Sequence, residues 1–142
     1  MTDAAQGFWF SSSLFEVEAG EDEETNPGRY GRRLATWLAD RLREHGLDVE
    51  SVTPEDWGWR VACRSGPHRL IAACGNVDEA GPDHAPVGPP ASVTWHCFAV
   101  SESSLWRRLF QRAEAEQALE GFSRALREIF ESEPRIQLTG EP

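Results

Sequence analysis

Lysine is missing from this 142-residue chain; its 14 basic residues are all arginine, set against 24 aspartates and glutamates, for a formal net charge of −10. Nucleic acid and anionic membranes bind proteins that can lay a basic face on their phosphates, and this balance argues against both as main partners. All-arginine usage points to a GC-rich bacterial genome. Long apolar runs are also lacking. The opening MTDAAQGFWFSSSLFEVEAG has no basic leader region, and its longest apolar stretch falls far short of the roughly 20 residues a membrane span needs. The expectation is a soluble, unexported, cytoplasmic chain. Cysteine is scarce: Cys63, Cys74 and Cys97 form an odd set without CxxC spacing, which reads as reduced, buried thiols rather than a disulfide framework. Catalytic signatures are missing as well. There is no GxxxxGK(S/T) phosphate loop, no GxGxxG after a strand, no HExxH and no GxSxG elbow.

What is present suffices for one core. The AVILMFWYC set makes up 39% of residues and aromatics 10%, too much for a disordered chain, and the length fits a single domain over residues 1–142. Residues 8–18 end with Phe15 and Val17 alternating with Glu16 and Glu18, the period of a half-buried strand. Residues 19–25 read as an acidic loop. Asn26-Pro27 reads as a helix start, with Asn as cap and Pro at the first helical position. Tyr30, Leu34, Trp37, Leu38 and Leu42 then recur at helical spacing until Gly46, with Leu47 closing over the last turn. A weak strand covers 49–52, and Pro54-Glu55-Asp56 reads as a turn. Residues 57–64 and 68–77 form an antiparallel hairpin about Ser65-Gly66-Pro67. Residues 78–91 are a loop rich in Pro, Gly and Asp, longer than most connections. Residues 92–100 are a strand, 104–132 one helix or two, and 136–139 can add a short edge strand. This β-α-β-β-β-α order gives an α+β two-layer sandwich, a largely antiparallel sheet of about 4 to 6 strands with two main helices on one face.

Two segments carry the candidate chemistry. Glu16, Glu18, Glu21, Asp22, Glu23 and Glu24 place six carboxylates in nine positions ahead of a helix. Such a run is a solvated face that complements the helix dipole, a hard-cation site, or a docking patch for a basic partner. Glu55-Asp56-Trp57-Gly58-Trp59 is the second. On strand alternation Trp57 and Trp59 share a face, either packed in the core or walling a pocket, rimmed by Glu55 and Asp56, for a cation, sugar or peptide. Arg29, Arg32 and Arg33 are expected to pair with the residues 21–24 carboxylates rather than bind an anion. His96 and Cys97 point to opposite strand faces, which disfavours a shared zinc ion. His84 reads as solvated. No residue is nominated as catalytic or metal-binding, and no cofactor is expected.

The segments 24–31 (ETNPGRYG) and 55–59 (EDWGW) resemble those of a group of uncharacterised bacterial proteins of about this length. That resemblance implies a bacterial single domain and carries no assigned activity. Two functional expectations follow. The first is a non-catalytic binding or regulatory module, immunity-like, in which Glu21, Asp22, Glu23 and Glu24 with Glu55, Asp56, Trp57 and Trp59 engage a basic protein or a small ligand. The second is a small metal-dependent or carboxylate-based hydrolase using Glu55, Asp56, loop carboxylates or His84.

Overall fold

The computed structural model describes residues 7–77, 89–102 and 112–141. Strand β1 (Gly7–Ser12) is followed by a 3-10 turn at Glu21–Glu23, helix α1 (Arg32–Glu44) and strand β2 (Asp48–Glu55). Strands β3 (Gly58–Ser65), β4 (His68–Asn76) and β5 (Trp95–Glu102), helix α2 (Arg112–Ser132) and strand β6 (Ile136–Thr139) complete the chain. The six strands form one sheet in the order β2-β3-β4-β5-β1-β6, and each neighbouring pair is antiparallel. Both helices lie on one face, as the α+β sandwich expectation has it. Among the described residues no helix is long and apolar enough to cross a membrane.

Strand alternation divides the sheet cleanly. Phe8, Phe10, Val61, Cys63, Leu70, Ala72, Cys74, Trp95, Cys97 and Ala99 point under the helices and join one buried cluster with Leu34, Leu38 and Leu42 of α1 and Phe122, Leu126, Ile129 and Phe130 of α2. Phe130 is its hub, with ring centroids 4.7 Å from Phe10 and 5.4 Å from Phe8. Each Phe, Leu, Ile and Val side chain in it contributes about 1.5–3 kcal/mol by leaving water. The opposite face carries Trp9, Arg60, Ala62, Arg64, Arg69, Ile71, Ala73, Gly75, His96, Phe98, Val100 and Glu102; Ala62, Ile71 and Ala73 are buried there, and among the described residues neither helix packs on it.

Several boundaries differ from the sequence reading, each for a physical reason. The first strand stops at Ser12, whose hydroxyl turns to donate to the Arg135 carbonyl at 2.7 Å. Helix α1 begins at Arg32, not at Asn26-Pro27: Gly31 at its cap has φ +148°, and residues 26–29 close a separate turn through the Arg29 N–H to Asn26 carbonyl bond. Its far end is as expected, with Gly46 N–H on the Arg43 carbonyl and Leu47 N–H on the Leu42 carbonyl, the double bond of a glycine-terminated helix. Strand β2 is longer than the weak strand read at 49–52 and includes Pro54 and Glu55, which the sequence assigned to a turn. It lies at the sheet edge, where a proline without an N–H leaves no ladder bond unmade. The turn itself is Asp56-Trp57, between the paired residues Glu55 and Gly58. The 78–88 part of the long loop, with His84, lies outside the described residues, as does the 104–111 start of the second helix.

Candidate functional site

The two unusual segments meet at the end of β4. Asn76, buried there, accepts the Tyr30 N–H on Oδ1 at 2.9 Å and donates from Nδ2 to the Gly28 carbonyl at 3.0 Å. Its own carbonyl accepts Arg29 Nη1 at 3.2 Å. One amide thus holds residues 28–30 against the sheet as an extra strand would. Asn26 Nδ2 then donates to the Asp56 carbonyl at 3.1 Å, fastening the same loop to the β2–β3 turn. The turn lies flat on β4 because a Cβ built on Gly58 would stand 2.3 Å from the Cys74 carbonyl oxygen.

Trp57 and Trp59 do not share a face. Gly58 takes φ +150°, which breaks the alternation that the sequence reading assumed. Trp59 is buried, 4% exposed, with the Arg32 guanidinium 5.5 Å from its ring centroid. Trp57 swings to the open face, 43% exposed, its ring 6.5 Å from Phe98. Phe98 lies 5.1 Å from His96, which stacks on Trp9 at 4.5 Å with 9° between the planes. Trp9 leans back over Gly7, where any Cβ would strike its ring. A row of four rings therefore runs across the sheet. Between Trp57 and the β5 aromatics, β4 presents only Ala73, opposite Phe98, and Gly75, opposite His96. The result is a trough of about 390 Å³ with aromatic walls, a floor of small residues, and Arg29, Asn76 and Val77 at one end. Burial lowers the His96 pKa below its ordinary value.

The acidic run splits into inward and outward groups. Glu21 is 2% exposed. Its Oε1 accepts the Glu18 N–H at 2.9 Å, and its Oε2 accepts the N–H groups of Gly31 at 3.3 Å and Arg32 at 3.0 Å. It is the side-chain cap of α1 that Gly31 cannot supply. Burial raises its pKa, and the three backbone bonds oppose that rise. Asp22 Oδ2 accepts the Gly28 N–H at 3.0 Å and the Tyr30 hydroxyl at 3.3 Å. Arg32 lies 3.6 Å from both Glu18 and Glu24, and Arg33 lies 3.4 Å from Glu18 and 3.8 Å from Glu16. The expected pairing of arginines with the 21–24 carboxylates thus holds only for Arg32 with Glu24; Arg29 turns to Asn76. Glu23 and Glu24 remain at the surface, and Glu23 with Asp22, Thr25, Asn26 and Pro27 helps to line a wide depression of about 910 Å³. Glu55 sits 3.7 Å from Arg60, whereas Asp56 is exposed.

Beyond the trough the open face is a ladder of ion pairs. Arg60 reaches Glu102 at 3.2 Å, Arg69 reaches Glu102 at 3.3 Å and Glu50 at 3.1 Å, and Arg64 reaches Glu50 at 2.9 Å. Glu50 is the extra residue of a bulge between Val49 and Ser51, and its hydrogen bond from Arg64 leads the causes that lower its pKa.

The cysteines lie on the covered face. Cys63, Cys74 and Cys97 are buried and free. Burial pushes the Cys63 thiol up to about 12, and the hydrogen bond with Cys74, 3.9 Å away, raises Cys97. Low exposure and scarce thiolate both slow attack on disulfide reagents. Ellman's reagent is therefore expected to release no thiolate signal from the native chain at pH 8, and signal from all three cysteines once denaturant is added. A rapid native signal would contradict this placement.

Sequence reasoning placed Trp57 at the site but missed Trp9, His96, Phe98 and Asn76. The signal for them was weak: His96 and Phe98 are an i, i+2 pair whose strand partners, Ala73 and Gly75, are too small to cover them. Among the described residues no group of three or more His, Cys, Asp or Glu side chains could hold a metal ion. No family model, curated protein or solved structure matches this chain.

Proposed function

We propose that the chain is a non-catalytic binding module whose partner is a basic protein. The docking surface joins the acidic loop that carries Glu23 and Glu24 to the Asp56-Trp57 turn and the aromatic trough behind it. The observation that carries this reading is the Asn26 Nδ2 to Asp56 carbonyl bond, which holds the acidic loop against the turn that presents Trp57. Exposed tryptophan beside unburied carboxylates is a combination suited to a desolvated anchor with a charged rim. The net charge of −10 steers a cationic protein toward it.

The test is retention from a lysate of the source organism on three immobilised forms: wild type, Trp57→Ala, and a Glu23→Gln, Glu24→Gln, Asp56→Asn triple variant. A basic protein held in stoichiometric amount by the wild type should be lost by Trp57→Ala and should elute at lower salt from the triple variant. Retention that neither change weakens would overturn the reading.

A further inference from the structure

The docking reading leaves open what enters the trough, and the ring geometry narrows it. Trp57 and Phe98 are too close, at 6.5 Å and tilted by 43°, for a flat ring to slide between parallel faces. The occupant has to be a slim group lying over the row, above the small floor at Ala73 and Gly75. The aromatic faces of Trp9, Trp57 and Phe98 give the trough the negative quadrupole that attracts cations. The exposed Asp56 is the neighbour of Trp57 in the turn. Among the described residues Arg29 is the cation lining the trough, and its Nη1 is bound to the Asn76 carbonyl.

The chain already uses this chemistry internally. Guanidinium groups of Arg32, Arg41 and Arg127 lie over the rings of Trp59, Trp37 and Phe8 at 5.3–5.7 Å.

We infer that the trough is a receptor for an arginine side chain of the basic partner. The guanidinium stacks on Trp57 and the β5 aromatics, with the exposed Asp56 carboxylate beside Trp57 as its counter-charge. Arginine fits better than lysine because a planar, weakly hydrated cation stacks on an aromatic face, whereas a compact ammonium keeps its water. This inference rests on the docking reading above, and the two can fail separately.

The experiment titrates full-length protein with N-acetyl-arginine amide, following the tryptophan indole N–H resonances. N-acetyl-citrulline amide, the same shape without charge, and N-acetyl-lysine amide are the controls. Saturable shifts of Trp9 and Trp57 with arginine, little response to citrulline, and affinity about tenfold weaker in Trp57→Ala are expected. Trp59 and Trp95, buried on the covered face, should not move. Equal binding of citrulline, or arginine shifts that survive Trp57→Ala, would overturn the receptor. Should arginine amide fail to bind while Trp57→Ala still abolishes partner retention, the docking surface stands and the arginine receptor falls. Should arginine amide bind at Trp57 while retention ignores the variant, the receptor stands and the docking surface falls.

Discussion

Gly58→Ala is expected to lower the melting temperature by roughly 10–20 °C, the largest effect of any single methyl addition in this chain. Two costs coincide at that position. The backbone is at φ +150°, a conformation that costs an L-residue on the order of 1–3 kcal/mol. The new Cβ would also stand 2.3 Å from the Cys74 carbonyl oxygen and 3.2 Å from the Gly75 Cα. Both obstacles are backbone, so no rotamer change relieves them, and β2–β3 has to lift from β4 at a further cost of about 1–3 kcal/mol. The sum is a large share of the 5–15 kcal/mol typical of a whole domain. Gly121→Ala is the matched control. Gly121 lies in α2 with nothing within 4 Å of its built Cβ, so the same methyl should stabilise by about 0.5–1 kcal/mol through helix propensity. Thermal unfolding followed by circular dichroism reads both, and a Gly58→Ala melt close to wild type would refute the close approach of turn and strand.

Glu21→Ala is expected to cost about 2–4 kcal/mol. Its carboxylate is the acceptor for the N–H groups of Glu18, Gly31 and Arg32, and alanine leaves them facing a space too enclosed for bulk water. The pH dependence of the loss is distinctive. Burial holds the folded pKa above the ordinary carboxylate value. For an acid, a raised folded pKa means stability that is fully present below the unfolded value and lost as pH rises through the folded one. The gap between wild type and Glu21→Ala should therefore be widest near pH 4 and narrow toward neutrality. Glu50 and Glu133 titrate in the opposite sense, because arginine hydrogen bonds lower their pKa values, but both variants share them and they cancel in the difference. Denaturant melts of the pair between about pH 4 and 7 measure this directly. A gap that widens with pH would mean that Glu21 is held as a charged partner rather than at the expense of burial.

These two residues also mark where reading the sequence succeeds and fails. Local signals were legible. The stripe of Leu34, Leu38 and Leu42, the Gly46-Leu47 stop and the Ser65-Gly66-Pro67 hairpin depend on neighbours a few positions away, and each stands as read. The start of α1 was not legible, because its cap comes from Glu21 by way of a loop whose shape Asn76 fixes from another strand. Asn26, the better capping residue by type, is spent on Asp56. Trp57 and Trp59 illustrate the same limit: alternation held them together until one glycine reversed the chain's facing. The trough is less visible still, for it is made by a strand face at 96–98, a turn at 57 and two small residues at 73 and 75, none with an unusual pattern of its own.

The sheet order has a consequence for how the chain is made. Strands β2, β3 and β4 follow one another in sequence and in space, so that meander can close soon after it is synthesised. Strand β1 cannot, because its two neighbours are β5 and β6. Its apolar Phe8, Trp9 and Phe10 must wait for nearly the whole chain, with both edges open to any other strand. Such late, distant pairing slows folding and lengthens the time during which aggregation competes. During biosynthesis β1 is therefore the segment with the most need of a chaperone.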